Sequence, residues 1–337
     1  MTPSEEIEAR LRETAEQLLR DKKVDIFLAH GKASLPFRTT PLFITSPEDA
    51  ERLVWNPFCA MNLAVYLPRL FVRPANAKEA ENLEQPTIGM VVKGCEARSV
   101  AVLIQEHQIP RDKLVLVGVA CGGMADRRKA AAALDGRDPL SVAEDADGNL
   151  RVTVAGDQEV ALPREDVLAV ACTECRRPTP ELVDVLIGDG VEGKAADLTR
   201  SRTEQFGSQD LDARWAALRE ALGDCIRCNA CRQACPMCYC RECLLDQTTP
   251  RWIGAGTDPS DVVIYHLVRA FHLAGRCTEC GACTRACPMG IDTRLLIRKL
   301  NQDVEDLYGY TPGESTDATG PLSAFAMSDP EDFLTEI

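Results

Sequence analysis

Cys225-Ile226-Arg227-Cys228-Asn229-Ala230-Cys231-Arg232-Gln233-Ala234-Cys235-Pro236 is answered later in the chain by Cys277-Thr278-Glu279-Cys280-Gly281-Ala282-Cys283-Thr284-Arg285-Ala286-Cys287-Pro288. Both stretches read C-x2-C-x2-C-x3-C-P. A [4Fe–4S] cube needs four thiolates at tetrahedrally disposed corners. Three cysteines spaced by two residues wrap one cube in a tight loop, and the fourth, before Pro, reaches across to the other cube. The spacing therefore assigns Cys225, Cys228, Cys231 and Cys287 to one cluster. It assigns Cys277, Cys280, Cys283 and Cys235 to a second. Four-cysteine sites also bind zinc, but they pair two C-x2-C knuckles and do not need a fourth cysteine plus Pro twice over. Two cubes joined by crossed ligation suit electron hopping rather than substrate activation.

Between the motifs the chain departs from a minimal ferredoxin. Asp258-Pro259-Ser260-Asp261 reads as a helix start, and Val262–Ala274 runs helically until Gly275. Val263, Leu267, Ala270 and Leu273 share one face. Flanking helices point to an all-helical dicluster domain; a minimal ferredoxin with an insertion is the alternative. His266 and His272 read as packing or solvent-facing residues of that helix.

Cys225 to Cys287 holds eleven of the sixteen cysteines. Cys95, Cys121, Cys172 and Cys175 lie elsewhere, each closely following an expected strand: Ile88–Val92, Leu114–Val119 and Val167–Ala171. The carboxyl ends of parallel strands are where ligands bind, so these four are a candidate third [4Fe–4S] site. Buried cysteine packing as a small hydrophobe is the alternative. Cys238, Cys240 and Cys243 follow the first motif at once. With Cys59 they make a fourth set, and four sets would account for all sixteen cysteines. Cys59 has a second option, replacing Cys121 or another member at the strand ends. Gly94, Gly122 and Gly123 sit beside the strand-end cysteines, where glycine lets backbone approach a cluster or a phosphate. Plain turn glycines fit as well, since no G-x-G-x-x-G fingerprint is present. Lys93 and Arg98 flank Cys95, with a surface role or a charge-stabilising one.

Working outward, residues 1–23 read as an N-terminal helix, with Thr2, Pro3 and Glu5 as its cap. Residues 24–200 alternate short apolar runs with helical patterns. They are expected to form an α/β domain with a largely parallel sheet, followed by a helical dicluster ferredoxin domain at 201–310. The expected elements are strands Val24–Ala29, Ile88–Val92, Leu114–Val119 and Val167–Ala171, a helix from about Ala97 to His107, and a hairpin of Leu150–Val154 with Glu159–Leu162. The polar stretch 192–212 reads as a linker, and a helix is expected at Leu211–Leu222. Residues 311–337 carry six acids and no Lys or Arg, and read as an extended acidic tail. Phe325 and Phe333-Leu334 are its candidate docking residues.

The 337 residues carry 38 Lys+Arg against 52 Asp+Glu, a balance of −14. That argues against a nucleic-acid binder, which needs a basic face for phosphates. No apolar run approaches the ~18 residues of a membrane span, and no signal peptide is visible at the start. A cytoplasmic location is expected, where thiols stay reduced and serve metals more often than disulfides.

Val92-Lys93-Gly94-Cys95-Glu96-Ala97-Arg98, Gln108-Ile109-Pro110, Val117 to Met124, and Cys172-Thr173-Glu174-Cys175 with Pro178-Thr179-Pro180 resemble the coenzyme F420 hydrogenase/dehydrogenase beta-subunit family. Cys235-Pro236-Met237-Cys238-Tyr239-Cys240 and His272 to Cys277 resemble dicluster proteins known as formate dehydrogenase beta subunits, often associated with heterodisulfide-reductase-like complexes. The resemblance implies FAD, with a cluster near it, and protein partners in a hydrogenase, formate dehydrogenase or heterodisulfide-reductase-like complex. A flavin would convert single electrons into hydride pairs. The expected function is an electron-transfer subunit of a cytoplasmic oxidoreductase. The alternatives are a self-contained flavoenzyme reducing F420 or NAD(P), and a non-redox scaffold with structural metal.

Overall fold

The computed structural model describes residues 2–71 and 83–324. Its contacts divide the chain into two units, Met1–Ala97 with Ile109–Lys194, and Arg98–Gln108 with Ala195–Ile337.

The first unit opens with α1 (Pro3–Arg20). The Thr2 side chain accepts from the Glu5 N–H, and the Glu5 carboxylate returns the bond to the Thr2 N–H. Leu11, Ala15, Leu18 and Leu19 form its buried stripe against Phe27, Ile44, Val91 and Val117. Those residues belong to a five-stranded sheet of β1 (Ile26–Lys32), β2 (Thr39–Ile44), β3 (Ile88–Val92), β4 (Leu114–Val119) and β8 (Val185–Ile187), in the order β2-β1-β3-β4-β8. Every neighbouring pair is parallel except β1 with β2. All five residues of β3 are buried, as a central parallel strand covered on both faces requires. α2 (Gly94–Gln105) leaves β3 directly, and its first turn belongs to this unit.

A second sheet packs β5 (Pro139–Glu144), β6 (Leu150–Val154) and β7 (Gln158–Leu162) antiparallel in chain order. Leu150, Val152 and Val154 are buried while Arg151 is exposed, the period-two alternation of a half-covered strand. The β6–β7 turn has left-handed backbone at Gly156 and Asp157, as a tight hairpin requires.

Several expectations need correction. Val167–Ala171 is not a strand. Residues Arg164–Val167 and α4 (Val170–Thr173) are helical turns, and one isolated bridge joins Leu168 to Ala125. The run is too short for periodicity to separate helix from strand, and the Ala169 carbonyl accepts from Cys172 and Thr173 N–H instead of a neighbouring strand. The largely parallel sheet is completed by β8, an apolar run only three residues long, paired with β4.

The second unit is helical: α5 (Ala196–Gly207), α6 (Leu211–Leu222), α8 (Pro259–Leu273) and α10 (Arg294–Tyr308), with the short α7 (Ala230–Gln233) and α9 (Ala282–Ala286) inside the cysteine motifs. The expected linker at 192–212 thus contains α5, which is anchored through Arg200 to Glu305 and Asp306 and through Arg202 to Asp292. Polar composition misread these ion pairs as solvation. The first part of the expected free tail is also held. The Pro312 carbonyl accepts from Arg98 at 2.8 and 3.0 Å, and the Ser315 carbonyl accepts from Gln105 at 2.6 Å. Phe325, Phe333 and Leu334 lie outside the described residues.

Candidate metal centre

The two cysteine motifs repeat in backbone as well as in sequence. Arg227 and Asn229 have φ of 52° and 60°, and their counterparts Glu279 and Gly281 have 58° and 69°. A left-handed residue before and after the middle cysteine curls each loop, and α7 and α9 then start at matching positions.

Cys225, Cys228, Cys231 and Cys287 line one cavity of about 330 Å³, partly open to solvent. Cys228 is exposed while Cys231 and Cys287 are buried. The fourth cysteine of the second motif therefore sits with the first three of the first. Cys235 in turn stands near sulfurs of the second motif. Burial pushes the Cys277 thiol well up, and Cys235, Cys283 and Cys280 are the neighbouring sulfurs that add to it. Burial raises Cys280 as well, with Cys235 and Cys283 again beside it. Neutral thiols this crowded fit a group that accepts them as thiolates. All sixteen cysteines are free of disulfides. Among the described residues, no three His, Cys, Asp or Glu side chains close on a single metal ion.

Helix α8 walls these sulfurs. His266 Nε2 lies 3.4 Å from Cys225 Sγ, and the Tyr265 hydroxyl lies 3.7 Å from Cys231 Sγ. Burial and the charges of Arg269 and Arg227 hold His266 down to about 4, so its ring is neutral. Burial and the Cys231 sulfur push the Tyr265 phenol well up. The neighbouring residue one helical turn on, Arg269, is 3% exposed and donates to the Cys231 carbonyl at 3.1 Å. The sequence showed α8 and His266 but not these contacts; Tyr265, His266 and Arg269 at i, i+1 and i+4 were the available signal. His272 is exposed.

In the first unit, Val92 pairs with Gly118 across β3 and β4. Cys95 and Cys121 each lie three residues beyond that pair, at matching positions past the strand ends. Cys172, on α4, and Cys175 lie near Cys121, whose thiol burial and the Cys172 sulfur lift to about 11. The Gly123 N–H donates to Cys121 Sγ at 3.4 Å, and the Met124 N–H to Cys172 Sγ at 3.3 Å. Such N–H···S bonds are those that stabilise cluster thiolates.

Lys93 stands beside Cys95 and Cys121 and is not on the surface. Its ammonium meets Glu96 at 2.8 Å and donates to the Cys59 carbonyl at 2.9 Å, with His30 Nε2 at 3.4 Å. Glu96, fully buried, also accepts from the Leu63 and Lys93 N–H groups. This pair gave no sequence signal beyond its nearness to Cys95.

Cys59 is fully buried in the first unit. Its thiol donates to the Val54 carbonyl and accepts from the Asn56 N–H, and burial pushes it up to about 12. Cys238, Cys240 and Cys243 belong to the second unit. Cys238 touches Cys235, Cys240 is exposed, and Cys243 packs beside Cys231 and Cys283. The flavin-candidate glycines divide. A Cβ on Gly94 would lie 2.0 Å from the Arg177 carbonyl oxygen, and one on Gly123 2.8 Å from Leu168, whereas Gly122 faces open space. Gly94 and Gly123 serve close packing within the protein, and Gly122 has room beside it.

Thiol sets in this arrangement define an iron–sulfur protein, and residues 221–291 match the 4Fe-4S dicluster domain. Along most of its length the chain is similar to the beta-subunit family of F420-dependent enzymes. It is 23% identical to the F420-dependent formate dehydrogenase subunit beta of Methanocaldococcus jannaschii, over 88% of this chain and 89% of the relative. It is 25% identical to the F420-dependent formate dehydrogenase 1 subunit beta of Methanococcus maripaludis, over 89% of each. A solved chain from the F420-reducing [NiFe] hydrogenase complex of Methanosarcina barkeri aligns with 15% identity and a TM-score of 0.38, over 67% of this chain and 91% of that one.

Proposed function

We propose that the chain is an iron–sulfur electron-transfer subunit of a cytoplasmic, multi-subunit oxidoreductase of the formate dehydrogenase or hydrogenase kind. The observation that carries this is the joint lining of one cavity by Cys225, Cys228, Cys231 and Cys287, residues that only a crossed pair of cubes calls together. Two cubes are assigned to the crossed sets, and a third to Cys95, Cys121, Cys172 and Cys175.

When bound, the cubes supply one-electron transfer. The chain does the rest. The left-handed turns at Arg227, Asn229, Glu279 and Gly281 aim three thiols of each motif inward. Leu222, Val262, Val263 and Ile291 pack around Cys225 and Cys287 and limit water there. The Gly123 and Met124 N–H groups hold the strand-end sulfurs. Among the described residues no helix is long and apolar enough to cross a membrane. No step is assigned to a flavin.

Iron per chain on anaerobically purified protein tests the assignment. About 12 irons are expected, four for each cube. About 8 would reduce the strand-end cysteines to packing, and about 16 would give Cys238, Cys240 and Cys243 a cube as well.

A further inference from the structure

Arg269 is a buried charge whose partners are a backbone carbonyl and cysteine sulfurs, Cys238 among them. It lies on α8 with 3% of its surface exposed. One terminal nitrogen donates to the Cys231 carbonyl, and Nε has no hydrogen-bond partner. Among the described residues its charged neighbours are sulfurs: Cys235, Cys283, Cys231 and Cys238. A guanidinium in such a place is costly unless negative charge stands next to it.

The identity of those sulfurs shows where that charge arrives. Cys231 belongs to the first crossed set. Cys235 and Cys283 belong to the second, and Cys238, which Arg269 also meets, belongs to neither. We propose that Arg269 is a positioning residue shared by the two cubes, a fixed cation that favours the reduced state of both and so raises their reduction potentials together. This rests on the crossed ligation proposed above. Reduction adds one electron, hence one negative charge, to a cube already carrying four thiolates, and a buried positive charge stabilises the product more than the reactant. His266 and Tyr265 differ in kind. Both are neutral, and each faces one sulfur of the first set, Cys225 or Cys231.

The test is a potentiometric titration of the full chain, followed by electron paramagnetic resonance, in wild type, Arg269→Met and Arg269→Lys. Iron per chain is measured on each sample. Arg269→Met keeps the length of the side chain and removes the charge. It is expected to hold the wild-type iron and to lower the reduction equilibrium constant of both cubes about tenfold, a shift of about 59 mV for one electron. Arg269→Lys is expected to keep both potentials within threefold. The strand-end centre is expected to stay unmoved in both variants. Wild-type potentials in an iron-replete Arg269→Met protein would overturn the proposal, as would a shift in one cube alone. Loss of iron from both variants would overturn it too, by making Arg269 an assembly contact. If Arg269→Met alone loses iron, a Lys variant with wild-type iron and potentials supports the role of charge. Failure of the crossed reading looks different: Cys287→Ser would then lose the signal that Cys277→Ser loses rather than that of Cys225→Ser.

Discussion

Glu96→Ala isolates a fully buried charge of the first unit. The Glu96 carboxylate is fully buried and accepts from three donors, the Lys93 ammonium at 2.8 Å and the Leu63 and Lys93 N–H groups at 2.8 and 2.9 Å. Its removal takes the carboxylate from the Lys93 ammonium, which is 3% exposed. Breaking a buried pair from one side costs about 3–5 kcal/mol, a large share of the ~5–15 kcal/mol that holds a whole domain together. At 1.4 kcal/mol per factor of ten, amide protection at Leu63 and Lys93 should fall by about two to four orders of magnitude. Native-state hydrogen exchange on anaerobic protein reads this directly.

The double variant Lys93→Met with Glu96→Gln separates charge from shape. It leaves no buried charge and keeps one carbonyl acceptor, so at most one amide is orphaned, at about 1–3 kcal/mol. The double should therefore protect Leu63 better than Glu96→Ala alone. A fall below tenfold in Glu96→Ala, or a double as damaging as the single, would refute the account of Glu96 as the anchor of this corner. The functional stake is Cys95, which lies between the two charges in sequence and begins α2.

Cys287→Ser is expected to lose the same paramagnetic signal as Cys225→Ser, and Cys235→Ser the same one as Cys277→Ser, because each fourth cysteine sits with the other motif. Gly94→Ala would set a Cβ 2.0 Å from the Arg177 carbonyl oxygen, so iron per chain should drop from about 12 to about 8. Asp292 has a different signature. Burial opposes its charge, but Arg294 and Thr284 hold the carboxyl well below the usual range. Its contribution is present above the ordinary carboxylate value near 4 and lost as pH falls through the lower native one. The urea midpoint of Asp292→Asn should thus lie below wild type at pH 7, and the gap should narrow below about pH 4.

What the sequence made legible followed from how local each cause is. The capping box at Thr2 and Glu5, the buried run Ile88–Val92 and the pattern of Leu114–Val119 act within a few residues, and they appear where expected. Helix Leu211–Leu222 does as well. β1 runs from Ile26 to Lys32 rather than from Val24 to Ala29, and at its polar end His30 is 1% exposed and faces Lys93. α5 was missed because its support comes from ion pairs to residues about ninety to a hundred positions away. β8 is three residues long and is fixed by pairing with β4 rather than by its own pattern.

The same distinction separates the two kinds of cysteine site. In the crossed pair, spacing carries most of the instruction, since left-handed turns at fixed positions curl each loop. The strand-end set has no such local code. Cys95 and Cys121 come level only because β3 and β4 are adjacent, parallel and in the register that pairs Val92 with Gly118. A one-residue slip would turn every side chain of β4 to the other face, and Cys121 would leave Cys95. The approach of Cys121 to Cys172 needs α4 to be a helical turn, which is where the expected strand failed. A strand-end site is therefore specified by the sheet as a whole, while the proposed crossed pair is written largely into two twelve-residue repeats, with α8 supplying polar groups that face their sulfurs.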